Sequence, residues 1–258
     1  MNTLRKTLKI VSAFLLFPLV VLFSIYSLEQ QGFFKVDKIE LKVEALSSQK
    51  NFVAPRVAAL QSRLDQIKGI SLWKAPLSEI SKSLQEEKWI REFQLSRVWP
   101  SGILLEIKTD DVQILVFPQG TEPGSVGEVS QIKPITRSGK VLEKINSKAA
   151  PNAIVTHDSQ FLANQKVREG GLQMIRTLPN SGKLAPQHIA EIGYDRREGY
   201  WVKLLESETR VNFGEDQFEI KSARVAQVID YLESRNLKAR VIDANLSKKV
   251  LVRMQQSP

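Results

Sequence analysis

The sequence predicts an α+β protein: a single N-terminal transmembrane helix, then a small α+β module, then a larger mixed α+β module ending in edge strands. Three observations lead there. Ile10 to Leu28 (IVSAFLLFPLVVLFSIYSL) is a run of 19 residues without a charged side chain. Beyond it, period-2 alternation and three-to-four spacing succeed each other in the order strand, helix, helix, strand, strand. Further short strands and helix-period stretches follow, and the chain closes on a pair of strands.

At about 1.5 Å rise per residue, a helix over Ile10 to Leu28 covers roughly the 30 Å hydrocarbon core of a bilayer. Pro18 lies inside the run, which a membrane helix tolerates. Arg5, Lys6 and Lys9 precede it, and the first charge after it is Glu29. Positive charge stays on the cytoplasmic side. Residues 1–9 are therefore expected to be a cytoplasmic tail, 10–28 a bilayer anchor, and the rest exported. The rival reading is a cleaved signal peptide. Its apolar core is normally roughly 7–15 residues long and followed by a small-x-small site, and none stands near Tyr26 or Ser27.

The net charge is +9, of which three basic side chains precede Leu28, leaving +6 on the exported part. That sign suits anionic head groups or acidic wall polymers. The charges are dispersed rather than blocked with aromatics, so no nucleic-acid partner is expected. The chain has no cysteine. Disulfides, thiol chemistry and Cys-ligated metals are excluded, and stability must come from buried apolar area.

After the connector 29–33, Ile39, Leu41 and Val43 alternate with Glu40 and Lys42 as a half-buried strand. Phe34 and Val36 are one residue out of phase, which a bulge near Asp37-Lys38 would reconcile. Val57, Leu60, Leu64 and Ile67 share a helix face, with Pro55 at its start and Gly69 as its cap. A second helix runs from about Pro76 to Glu87. A hairpin follows, Arg91 to Trp99 and Ile103 to Lys108 about Pro100-Ser101-Gly102. These elements bound a first module at 34–110.

The second module is expected at 111–254, before a short tail 255–258. Val112 to Phe117 reads as a strand, and 118–127 as a Gly/Pro loop without phosphate-cradling features. Ile132 to Leu142 reads as a hairpin about Ser138-Gly139. Lys166 to Leu178 is an amphipathic helix weakened by Gly170-Gly171. Strands are expected at 189–194, 200–205 and 209–213. Ile220, Val225, Val228, Ile229 and Leu232 make the buried stripe of a helix at 218–235. The last strands are Ala239 to Asp243 and Lys249 to Met254.

Chemistry finds little purchase. His157-Asp158 lacks a nucleophile elbow, and His188 follows Pro186 in a polar stretch; both histidines read as surface. Asp110-Asp111 and Glu86-Glu87 are adjacent pairs whose carboxylates diverge. No histidine pair has helix-face spacing for zinc. The tryptophans read as packing residues, with Trp99 shielding the hairpin end. The expectation is no catalytic residue, no cofactor, no metal and no small-molecule substrate.

Phe34-Lys35-Val36-Asp37-Lys38-Ile39 behind a signal anchor, Trp89-Ile90, Arg97-Val98-Trp99-Pro100 and Ile103 to Ile107 together resemble the exported POTRA domain of the bacterial cell-division family FtsQ/DivIB. Ser138 to Leu142 and Ile242-Asp243 resemble that family's later hairpin and ending. The resemblance implies a βααββ POTRA-like domain, then an FtsQ/DivIB-type β domain. It implies a non-catalytic scaffold of the inner membrane at the division septum, helping to control septal peptidoglycan synthesis. Its partners would be FtsB/FtsL-like membrane proteins. By the match, Asn245, Leu246, Lys248, Val250 and Val252 would bind one of them by strand addition, with Asn245 where the family usually has Arg. Two other readings stay open. A POTRA-bearing transport or assembly protein would show repeated modules or a terminal barrel. A membrane-anchored wall enzyme would need convergent carboxylates.

Overall fold

The computed structural model describes residues 2–117, 131–246 and 249–255, with side chains from Leu16 onward. The loop expected at 118–127, together with Ser247 and Lys248, lies outside the described residues. The chain is a mixed α+β protein. It divides into two units, Met1–Glu44 with Ala54–Thr109, and Ala45–Val53 with Asp110–Pro258.

The first unit opens with helix α1 (Asn2–Gln30), which carries Pro18 inside it. Among the described residues, no helix is long and apolar enough to cross a membrane. The described part of α1 is nonetheless apolar and outward-facing: Phe17, Leu22 and Phe23 are 73%, 67% and 70% exposed.

Strand β1 (Lys38–Glu44), helices α2 (Lys50–Asp65) and α3 (Leu77–Glu86), and strands β2 (Ile90–Val98) and β3 (Gly102–Thr109) follow. The sheet order is β1-β3-β2, with β1 parallel and β2 antiparallel to β3. The central strand is the most apolar of the three: Ile103, Leu105 and Ile107 are almost wholly buried.

The strand begins at Lys38, and the consecutive N–H groups of Asp37 and Lys38 both reach Ser101 O, at 2.9 and 3.4 Å. Phe34 to Val36 pair with a different stretch. Leu72 N–H bonds Phe34 O at 2.7 Å, Val36 N–H bonds Ile70 O at 2.8 Å, and Gly69 N–H bonds Val36 O at 2.9 Å. The phase change marks where the chain changes partners. Gly69 takes a positive φ of 83°, as a chain reversal there requires.

Helix α2 also departs from expectation. It starts five residues before Pro55, because Phe52 and Val53 bury their side chains upstream of the proline. Of the aromatic residues expected to pack, Trp89 does, with its Nε1–H on Glu87 Oε2 at 2.9 Å. Trp99 does not shield the hairpin end; it is 61% exposed.

The second unit holds β4 (Val112–Val116), β5 (Lys133–Thr136), β6 (Ile154–Thr156), α4 (Gln160–Ala163), α5 (Gln165–Thr177), β7 (Ile189–Asp195), β8 (Gly199–Leu204) and β9 (Arg210–Gly214). It ends with α6 (Phe218–Ser234), β10 (Ala239–Asp243) and β11 (Leu251–Met254). The eight strands form one sheet in the order β11-β10-β9-β8-β7-β6-β4-β5. Its core gathers Ile114, Phe161, Met174, Val202, Phe213 and Val225.

On α6 Val225, Ile229 and Leu232 are buried and Val228 packs against the core, as expected, but the first turn departs from the expected stripe. Ile220 is 51% exposed, while Lys221 and Ser222 are buried. Lys221 Nζ reaches Asp216 Oδ1 at 2.7 Å, and Ser222 Oγ donates to Thr177 O on α5 at 2.7 Å. Both buried polar groups are thereby satisfied.

The Gly170-Gly171 pair is a packing device rather than a weakness. A Cβ on Gly170 would collide with the Tyr200 hydroxyl, and one on Gly171 would stand 2.6 Å from the Phe161 ring. Tyr200 Oη donates to Val167 O at 3.0 Å, and burial pushes its pKa up to about 12, so it stays a neutral donor. Gly171→Ala should therefore destabilise. Overpacking against the fully buried Phe161 costs about 1–3 kcal/mol, against a gain of about 1 kcal/mol in helix propensity. Urea melts of the two proteins measure the balance.

Candidate functional site

Several residues that the sequence offers for chemistry make contacts within the fold. His157 Nδ1 lies 3.2 Å from Glu191 Oε1. It is half-buried with only 30% of its side chain exposed, so the surface reading needs correction. Asp158 accepts the N–H groups of Gln160 at 2.9 Å and Tyr194 at 3.3 Å. Asp110 is buried and takes both the N–H and the hydroxyl of Ser138, which pins the turn after β5. His188 closes a short 3-10 turn. Among the described residues, no group of three or more His, Cys, Asp or Glu could hold a metal ion.

What remains is the backbone. An open sheet leaves a row of N–H and C=O groups on each edge. One edge here, β5, is short, contains Pro134, and is already engaged on its outer side. Leu142 N–H bonds Pro134 O at 2.9 Å, and Thr136 N–H bonds Lys140 O at 3.0 Å. The other edge is β11, which pairs antiparallel with β10: Asp243 faces Leu251, Ile242 faces Val252 and Val241 faces Arg253. Among the described residues nothing pairs with its far side.

The direction of each group follows from the next strand in. Ala244 N–H bonds Asn212 O at 2.9 Å, so Ala244 and, two residues back, Ile242 turn their backbone groups toward β9. Val241 and Asp243 then turn theirs toward β11. Leu251 and Arg253 bond inward to them, and Val252 presents its N–H and C=O outward.

Side chains divide the same strand. Val250 and Val252 pack against the main core. Leu251 and Met254 are 51% and 44% exposed, and Arg253, Lys249 and Arg240 are exposed as well. The edge is thus basic, with apolar area on both faces.

Of the five residues singled out from sequence, the structure brings Val250 and Val252 together on the core face of the edge. Leu246 is 49% exposed in the turn after β10. Asn245 folds elsewhere: its N–H bonds Asp243 Oδ1 at 2.9 Å, and its amide oxygen lies against Gly214 at the end of β9. Lys248 lies outside the described residues. Leu251, Arg253 and Met254, which the sequence places in the same strand without singling them out, are the exposed side chains of this edge. Their signal was there: a strand apolar on both faces expects cover on both.

A cleft of about 610 Å³ opens beside this edge, lined among others by Lys238, Ile242 and Gln255 and by the end of α6. Lys183 in its wall is bonded to Glu206 and stands 4.0 Å from Glu233. The Lys183 ammonium holds the Glu206 carboxyl below the usual carboxylate range.

Comparison with known proteins agrees on one family. The family model described as "Cell division protein FtsQ/DivIB, C-terminal" matches residues 127–245. That match stops at the turn before β11. Cell division protein FtsQ of Geobacter sp. (strain M21) is 21% identical over 192 residues, covering 72% of this chain and 66% of its own length.

Proline tests the backbone assignment. Val252→Pro removes an outward N–H and should melt close to the parent protein. Arg253→Pro removes a ladder donor and should lose about 1–3 kcal/mol. The order of the two urea midpoints decides it.

Proposed function

We propose that this chain, whose residues 127–245 match the FtsQ/DivIB C-terminal family model, is a member of that family of cell-division proteins and works as a non-catalytic, bitopic scaffold of the division machinery. In this reading residues 1–9 are cytoplasmic, 10–28 cross the inner membrane, and the remainder is exported, with a POTRA-like domain at 34–110 and the β domain at 111–254. The scaffold links early and late division proteins at the septum and helps to control septal peptidoglycan synthesis.

The observation that carries the proposal is the outward-facing backbone of Val252 on the edge strand β11, whose outer side has no partner among the described residues. An extended segment of a partner could add there as a ninth strand. Main-chain hydrogen bonds would supply affinity and side-chain pockets specificity. Leu251, Met254 and the neighbouring cleft offer apolar contact, and the basic side chains Arg240, Lys249 and Arg253 favour an acidic segment. The exported segments of FtsB/FtsL-like proteins are the proposed occupants. Val250 and Val252 would act from the core face and Leu246 from the flank, with Asn245 holding the turn; Lys248 is kept as a proposed contact from the sequence alone.

The anchor reading is supported by the uncharged run Ile10 to Leu28 and by the exposed apolar side chains of the described half of α1. In water such a surface would be an aggregation site; in lipid it is at home.

A reporter active only outside the cytoplasm should work when fused after Pro258 and stay silent when fused before Leu8. The reverse pattern contradicts the topology. For the edge, a folded Val252→Pro variant should lose capture of the partner's exported segment, as should deletion of 249–258. Unchanged affinity in the proline variant removes strand addition as the mechanism.

A further inference from the structure

The exposed apolar side chains of the first unit are not scattered. Phe33, Trp73 and Trp99 are 49%, 57% and 61% exposed. Single exposed aromatics are ordinary, but these form one connected set. Phe33 meets buried Phe34 edge-on at 5.2 Å between ring centroids, Phe34 meets Trp99 at 5.1 Å, and Trp99 meets Trp73 at 6.4 Å.

The set is fastened to the exit of α1. Phe33 N–H bonds Leu28 O at 3.0 Å, and Ser71 Oγ donates to Glu29 Oε1 at 3.1 Å. Lys35 pairs with Ser71, and its side chain folds back over Gly32, where an added Cβ would stand 3.3 Å from Lys35 Cδ. Lys74, next to Trp73, is exposed. Within the last turns of α1, Tyr26 is 60% exposed and accepts a hydrogen bond from Gln30 Nε2 at 3.1 Å.

We propose that Tyr26, Phe33, Trp73 and Trp99, with Lys35 and Lys74, seat the first unit in the head-group layer of the bilayer that α1 enters. The proposal rests on reading α1 as a membrane anchor. Trp and Tyr concentrate at the membrane–water interface, where an apolar ring can be buried while its N–H or O–H stays wet. Lysine stems cover apolar surface while the ammonium reaches lipid phosphates. Because hydrogen bonds tie the Ser71–Lys74 turn to the helix end, the aromatic set enters the interface when the helix inserts. The first unit then lies on the membrane instead of hanging from a free tether.

The test uses the full chain in lipid nanodiscs made with ordinary or bromine-substituted acyl chains. Bromine quenches tryptophan only at close range. Trp89 is buried and Trp201 belongs to the second unit. Emission of the parent chain should fall in brominated discs relative to ordinary ones, and that loss should disappear in the Trp73→Phe/Trp99→Phe double variant. A chain that stays with the discs yet is not quenched overturns the proposal and leaves the anchor standing. Quenching that survives in the double variant overturns it too. A chain that does not remain with the discs removes the anchor reading, and the proposal with it.

Discussion

Backbone pairing is the constraint on which the second unit depends. Every buried N–H and C=O must find a partner, and among the described residues eight strands bond side by side and leave two margins. The margins are treated differently. At β5, Pro134 removes one donor and the stretch Lys140 to Leu142 folds back to engage the remainder. At β11 the strand is held from one side only, and its valines anchor it to the core while its backbone stays available. Long exposed edges invite aggregation. This one is four residues long and carries Arg253, with Lys249 just before the strand, both devices that limit unspecific pairing.

Much of this was legible in the sequence, and the failures have physical causes. Strands such as Ile103 to Ile107 and helix α5 announced themselves because one face is buried and the period is clean. β6 and α4 were not seen: at three and four residues, neither completes a readable period. The stripe on α6 was misjudged at Ile220 because a buried lysine with its own carboxylate, Lys221 with Asp216, looks polar in a hydropathy reading. The start of α2 was misplaced because a proline normally opens a helix, whereas here Phe52 and Val53 need burial one turn earlier.

The site was legible only in outline. A last strand is an obvious candidate for an edge, and alternation separates Val250 and Val252 from Leu251 and Arg253. Which of these residues turns its backbone outward is not in the alternation. It depends on how β10 bonds to β9, a parallel pairing between segments separated by all of α6. The bulge between Ala239 and Val241 shifts the register once more. Asn245 shows a further limit: its spacing suits the edge, yet close approach to Gly214, with a φ of 76°, draws its side chain onto β9.

The central claim is that the outer side of β11 is open in the free protein and closed by a partner strand. Residue-resolved amide hydrogen exchange on the full chain tests it most directly. The account predicts slow exchange at Leu251 and Arg253 in every state, whereas Val252 exchanges fast in the free chain and slows once the partner's exported segment is bound. A Val252 amide already as protected in the free chain as its two neighbours would contradict it, because the edge would then be covered by the protein's own backbone.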